Sequence, residues 1–361
     1  MTTEPKEWEW HPLPPKVNVE TPEVLKKALE AQQYLSELKG ISQTIPNQGI
    51  LLNILPIQEA RDSSEIENIV TTSDALYRAD VEKEKRIDQT TKQVQRYAVA
   101  LKEGFERIQK SGLIRINDII AIQKTLEDND AGIRSLPGTT LSNPATGEVV
   151  FVPLQHKNVI LKALDNLEQY INNDELSDVH PLIKMAIIHV QFESIHPFYD
   201  GNGRTGRIIN ILYLVQKGLL DIPVLYLSRY IVKNKPRYYE LLQRVRTRND
   251  WESWILYLLE GVKQTSIGTI EDIIQIREEM LKTKHQIRKQ YSFYSQDLIT
   301  HIFSHPYTKI NHLKDDLNLS RPTATKYLDE LSDANFLKKI KQGRDNYYLN
   351  SNLIKIIVKN K

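Results

Sequence analysis

Cysteine is absent from the 361 residues. That excludes a disulfide framework, thiolate-ligated zinc or iron–sulfur centres and cysteine nucleophiles, and it fits a reducing compartment. Glycine (14) and proline (16) are sparse. Few chain breakers favour long helices over a many-turned all-β fold. Neither charge sign is in excess, with 48 Lys+Arg against 46 Asp+Glu and a net charge of +2. Any nucleic-acid contact must therefore come from a local patch. No apolar run reaches the ~18 residues that mark a membrane span. The start, MTTEPKEWEWHPLPPK, lacks the basic-then-apolar order of a secretory signal. The expectation is a cytoplasmic chain of two or three domains with no membrane partner.

Four prolines (Pro5, Pro12, Pro14, Pro15) accompany Trp8 and Trp10 in residues 1–20. Proline opposes helix, so an extended arm with docking aromatics is expected. Apolar residues at 3–4 spacing predict helices over 22–54, 57–76, 89–110, 116–127, 156–172, 180–194, 204–217 and 234–261. Between them, Pro137-Gly138, Asn143-Pro144 and Gly147 mark turns before the β-branched run at 149–152, which predicts a hairpin over 132–153. A charged helix near 268–291 reads as a linker. The segment 293–361 reads as helices 294–304, 310–316 and 321–333, then strands 336–341 and 346–349 around Gln342-Gly343. That order is a winged helix-turn-helix. The expected division is an arm and helical segment (1–56), a core (57–265), a linker helix (266–292) and the winged helix (293–361).

The richest stretch is His196-Pro197-Phe198-Tyr199-Asp200-Gly201-Asn202-Gly203-Arg204-Thr205-Gly206-Arg207. Two glycines flanking Asn202 let backbone N–H groups turn inward into an anion-binding nest. The apolar run Ile208–Val215 shows that a helix starts near Arg204, so the nest sits at a helix N-terminus, where phosphate is favoured. Arg204 and Arg207, three apart, can both face that phosphate with guanidinium forks. Asp200 offers a hard oxygen ligand for Mg²⁺. His196 is a candidate general base. The Lys-[Ser/Thr] of a Walker A loop is missing.

His196 to Arg207 resembles the signature of the Fic (Fido) family, HxFx(D/E)GNGRxxR, at every specified position. The resemblance implies a mainly α fold, with a Fic-type helical core over about 57–261 and a hairpin flap. It also implies transfer of AMP from ATP to a Tyr, Thr or Ser hydroxyl of a target protein, or of the chain itself, with release of pyrophosphate. On that reading His196 takes the hydroxyl proton and Asp200 binds Mg²⁺. Gly201, Asn202, Gly203, Arg204, Thr205, Gly206 and Arg207 contact the nucleotide, Arg204 and Arg207 holding the outer phosphates. Phe198 anchors the loop, and Tyr199 stands at a variable position without a role.

Upstream, Ser63 and Glu67 are four apart on one helix face. On their own, Ser64-x-x-Glu67 reads as a capping box opening a helix. Beside the signature, Ser63…Glu67-Asn68 resembles the family's inhibitory pattern (S/T)xxxE(G/N), which implies an N-terminal inhibitory helix at about 57–76. Glu67 would then pair with Arg207 and repel the ATP phosphates.

The hairpin corresponds to the family's flap, with Val150, Phe151 and Val152 as the edge that pairs with an extended target segment. Tyr238 and Tyr239 resemble the adenine-side wall, although tyrosines at helical spacing are as readily core. Trp251 and Trp254 read as core, and His189 as packed rather than ligating. From 336 to 361 there are seven basic residues (Lys338, Lys339, Lys341, Arg344, Lys355, Lys359, Lys361) and one acidic, Asp345. That composition suits phosphate contact and makes DNA a candidate partner. The helix 321–333 balances Arg321 and Lys326 against Asp329 and Glu330, and winged helices also dock proteins. A homodimer is compatible with the sequence. Two other activities remain compatible with it: AMP removal with Glu67 positioning a water, and DNA-binding regulation with the core as a nucleotide sensor.

Overall fold

The structure is a computed structural model that describes residues 6–82, 87–142, 146–342 and 345–358. Fifteen helices and two small antiparallel sheets are present among the described residues. Helix α1 (Pro22–Ser42) opens on Thr21, whose hydroxyl accepts from the Val24 amide, with Pro22 in the first turn. Helix α2 (Gly49–Ile66) starts after an Asn47 side chain that accepts from the Gly49 amide. The expected break at 56 is absent. Pro56 sits inside α2, where α2 is buried on most of its circumference, and that packing outweighs the lost backbone bond. The chain breaks earlier, at 43–48, and the stretch expected as one helix to residue 76 ends at Ile66, with α3 (Ser73–Ala79) separate.

Helices α4 (Gln89–Ser111) and α5 (Ile116–Glu127) pack together and lead to β1 (Leu141–Ser142) and β2 (Val149–Phe151), paired antiparallel. Helix α6 (Lys157–Asn172) follows. Helix α7 (Pro181–Ile195) is the centre of the molecule, and every residue from Leu182 to Ile195 is buried. A helix apolar all round is a core helix. Helix α8 (Asn202–Gln216) packs directly on it.

Helix α9 (Leu227–Lys233) comes next. The helix expected over 234–261 is two, α10 (Lys235–Arg248) and the start of α11 (Trp251–Gln290), and the break falls where Asn249 takes a left-handed conformation and Asp250 caps the Ser253 amide. The expected linker helix is not separate. It is the second half of α11, a 40-residue helix roughly 60 Å long. Its buried residues run from Trp254 to Ile287, and it lies along α1, α7 and α9 before reaching the C-terminal module.

That module comprises α12 (Gln296–Ser304), β3 (Tyr307–Thr308), α13 (Ile310–Asp316), α14 (Arg321–Asp333), β4 (Lys338–Gln342), β5 (Asp345–Leu349) and α15 (Ser351–Val358). Its sheet has the order β3-β5-β4. Strand β3 and helix α15 were not expected from the sequence. Pro5, Asn143-Pro144, Gly343, Arg344, Lys359 and Lys361 lie outside the described residues. The N-terminal arm docks as expected: Glu7 bridges Val152, the Trp8 amide donates to the Val152 carbonyl at 2.8 Å, and Asn166 exchanges hydrogen bonds with the Leu13 backbone.

Candidate active site

Helix α7 ends in His196, whose φ of +50° turns the chain out of the helix while its amide still donates to the Phe192 carbonyl. Phe198 is fully buried against Phe192. Asn202 closes the loop: its Oδ1 accepts from the Phe198 amide at 2.9 Å and its Nδ2 donates to the Phe198 carbonyl at 2.8 Å. The Asn202 side chain is thus a brace, and only its amide is left to face an anion. Gly201 takes φ +78° and precedes the first residue of α8. The amides of Asn202, Gly203 and Arg204 therefore lie in a first helical turn that has no intrahelical acceptor.

The loop is also braced from the flap side. Arg134 is buried beneath it, where Nε donates to the His196 carbonyl at 2.7 Å, Nη2 donates to the Leu154 carbonyl, and its amide donates to the Pro197 carbonyl at 3.0 Å. Tyr199, given no role from sequence, accepts from the Ser135 and Leu136 amides. Arg134 carried no local signal in the sequence.

The His196 ring is held neutral. Burial first, then the Arg246 and Arg134 charges, push its pKa down to about 3. Its Nδ1 is buried and makes no hydrogen bond among the described residues, so Nε2 is the nitrogen able to meet a substrate. Asp200 is exposed and accepts from the Gly201 amide. An exposed carboxylate beside a phosphate-type nest fits a Mg²⁺ ligand.

Both signature arginines are buried, and each is paired with a carboxylate. Arg207 donates from Nε to Ser63 Oγ at 2.8 Å, and from Nη2 to the Ser63 carbonyl at 2.9 Å and Glu67 Oε1 at 2.8 Å. Arg204 pairs with Glu127 Oε1 at 2.7 Å. The two carboxylates also lie over the two glycines: a Cβ on Gly203 would overlap Glu67, and one on Gly201 would overlap Glu127. Each glycine–arginine half of the nest thus already holds an anion. Glu127, at the end of α5, was not singled out in the sequence because nothing near it marks a site. Burial pushes its pKa up against the lowering effect of Arg204.

The surroundings of Glu67 exclude the capping-box reading. Ser64 and Glu67 stand at the C-terminus of α2, not at an N-terminus. The Ile69 amide donates to the Ser64 carbonyl and the Asn68 amide to the Glu65 carbonyl, with Asn68 at φ +62°. This is a Schellman ending, which demands glycine or asparagine at the left-handed position. Helix α2 is itself anchored: Glu59 accepts from Tyr97 Oη at 3.2 Å and from the Ser228 amide at 3.1 Å, and burial pushes its pKa up to about 8.

Several expected contacts are not brought to the site. Thr205 is fully buried, and Gly206 faces α7, where a Cβ would stand 2.8 Å from Glu193 Oε1. These two positions serve helix packing. Tyr238 is core: it is buried, hydrogen-bonded to His189 Nε2 at 2.8 Å and packed on Trp254. Tyr239 is 46% exposed and alone keeps a free face. His189 is packed, stacked on Trp254 and bonded to Asn210. In the flap, Phe151 is buried between Trp8 and the Arg246 guanidinium, and the arm occupies Val152. Of the three expected edge residues, Val150 alone is exposed, at 44%.

Residues 25–106 match the Fic/DOC family N-terminal model, 108–214 the Fic/DOC family model, and 280–353 the C-terminal domain model of protein adenylyltransferase SoFic-like proteins. A probable protein adenylyltransferase of Aquifex aeolicus is 38% identical over 73 residues, covering 20% of this chain and 22% of that protein. The protein adenylyltransferase Fic of Drosophila erecta is 26% identical over 102 residues, 28% of this chain and 19% of that protein. The chain thus spans about a fifth of the length of these relatives. In fold, it is similar to a Fic family protein from Desulfovibrio desulfuricans, with a TM-score of 0.57 at 21% identity over 93% of this chain and 98% of that one. It is also similar to a Fic domain containing signaling protein from Bacteroides thetaiotaomicron, with a TM-score of 0.55 at 18% identity over 68% and 98%. On its signature loop, its domain matches and its fold, the chain belongs to the Fic/DOC family.

Proposed function

We propose that this chain transfers AMP from ATP to a hydroxyl side chain of a protein, and that its resting state is autoinhibited by Glu67. The target hydroxyl oxygen attacks the α-phosphorus, the bond from that phosphorus to the bridging oxygen breaks, and pyrophosphate leaves. The hydroxyl proton passes to His196 Nε2, which is neutral and can accept it. The first-turn amides of α8 and the guanidinium groups of Arg204 and Arg207 hold the phosphates. Asp200 would hold Mg²⁺, which supplies charge neutralisation to the phosphates when bound. Tyr239 is the aromatic face left for the adenine, and Val150 the residue left on the flap for a target segment.

The observation that carries the autoinhibited reading is the Glu67 carboxylate, which lies against both Gly203 and Arg207. It stands where a terminal phosphate would need to sit. The same position suits a carboxylate that orients water for AMP removal, and the assay distinguishes the two. With labelled ATP and a lysate as acceptor, Glu67→Gly should label proteins more strongly than wild type. Loss of preformed label with wild type and not with Glu67→Gly would instead identify removal as the activity.

We infer that the C-terminal module is a winged helix, on its order of helix, strand, two helices and two strands. Its basic wing is partly engaged within the module: Lys339 pairs with Asp329 at 2.6 Å. Contacts from Tyr307 to Asp74 and from Lys309 to Glu82 seat the module on the α3 segment.

A further inference from the structure

Away from the nucleotide site, the C-terminal module gathers three imidazoles and a carboxylate. His301 and His305 are four apart at the end of α12, on one helix face. Asp316 is the last residue of α13. One ligand atom from each of these three lies within 4.8 Å of the others. Asp316 Oδ2 stands 2.7 Å from His301 Nδ1 and 3.6 Å from His305 Nε2.

The far side of each ring is also engaged. His301 Nε2 is 2.6 Å from Thr308 Oγ1, and His305 Nδ1 is 3.3 Å from Asp80 Oδ2. Metal-binding histidines are oriented in this way, with the second nitrogen held by a carboxylate or hydroxyl that fixes the tautomer. His312 completes the cluster. Its ring centroid is 4.3 Å from that of His305, and its Nδ1 is buried and makes no hydrogen bond among the described residues.

We propose that His301, His305 and Asp316 form a zinc site, with His312 poised as the fourth ligand. Imidazole nitrogen and carboxylate oxygen in a compact set suit zinc, whereas Mg²⁺ and Ca²⁺ take oxygen ligands throughout. Asp80 caps α3, the helix that follows the Glu67 segment. An ion here would fasten the C-terminal module to that helix.

The test uses the full chain, stripped with chelator and dialysed against zinc with Mg²⁺ in excess to occupy oxygen-ligand sites. Wild type should retain one zinc ion that the double variant His305→Gln/Asp316→Asn lacks. Asp80→Asn, which removes only the outer partner, should weaken zinc binding about 10- to 100-fold. Co²⁺ substituted into the wild-type chain should give the intense visible bands of a four-coordinate nitrogen–oxygen site, a readout that does not depend on any variant folding. Equal zinc retention by wild type and a folded double variant would overturn the proposal. So would a Co²⁺ spectrum no different from the aqueous ion.

Discussion

Replacement of Glu67 by glycine is the sharpest perturbation this site allows. Arg207 is almost fully buried, at 1% side-chain exposure, and Glu67 is 34% exposed, 2.8 Å away. At an effective dielectric constant of 20, unit charges about 4 Å apart attract by about 4 kcal/mol. Partial exposure of the carboxylate screens roughly half of that, leaving about 2 kcal/mol of preference for the paired state. Released to the nucleotide, about 2 kcal/mol corresponds to roughly a 30-fold gain in competent enzyme. Glycine is harmless to the backbone here, because α2 has already ended and Asn68, not Glu67, takes the left-handed position. The expected outcome is about 30-fold faster transfer from labelled ATP, including self-modification, with a lower melting temperature for the nucleotide-free protein. Glu67→Gly combined with Arg207→Ala should lose the gain, since the phosphate partner is gone. Ser64→Ala is the control: its hydroxyl is buried with no hydrogen-bond partner among the described residues, so its loss should leave both activity and stability near wild type. A folded Glu67→Gly protein with no gain, in excess ATP and Mg²⁺, would refute the inhibitory assignment.

His196→Ala should keep ATP-dependent thermal stabilisation and lose transfer by about 10²- to 10⁴-fold, the usual effect of removing a general base. Near-wild-type transfer would remove His196 from the chemistry. Glu127→Gln leaves the buried Arg204 short of its charge partner, so the apo melting temperature should fall and the rise caused by ATP should exceed that of wild type. An unchanged ATP-induced rise would show that Glu127 does not compete with the nucleotide. His189 reports on pH. Burial and the Arg207 charge hold its folded pKa down to about 3, so below its unfolded value only the unfolded chain binds the proton and stability falls as pH falls. From pH 7 to 5 this contributes a loss of about 2 kcal/mol. Urea titrations of wild type and His189→Gln at the two pH values should converge by that amount, and parallel losses would contradict it.

The signature loop was legible because its chemistry is local. Two glycines, an aspartate, a histidine and two arginines fall within twelve consecutive residues, and helix geometry alone brings them to one end of α8. The Ser63–Glu67–Asn68 pattern was legible too, and its resemblance paired Glu67 with Arg207 as the structure does, but its place in the helix was not legible. As bare sequence, Ser64-x-x-Glu67 fits a helix start, and only the Schellman ending at Asn68 establishes that it is a stop. The partners that complete the site come from distant parts of the chain. Arg134 lies under the loop, Glu127 on Arg204, and Arg246 on the Glu193 carbonyl and Ser194 hydroxyl at the end of α7. Each is an ordinary charged residue in its own neighbourhood, so no periodicity or spacing could nominate it.

Adjacent residues can also have opposite fates. Tyr238 and Tyr239 are neighbours, yet one is sealed against His189 and Trp254 while the other faces outward. That choice belongs to the packing of α7, α10 and α11. Composition and hydrophobic period determined that the chain is helical, and the twelve residues 196–207 by themselves determined where a glycine-flanked loop opens α8, because both depend on contiguous residues. Tertiary structure decided where α2 and α11 run, which glycines admit a carboxylate and which aromatic stays open. Those outcomes depend on side chains that meet only when distant helices pack.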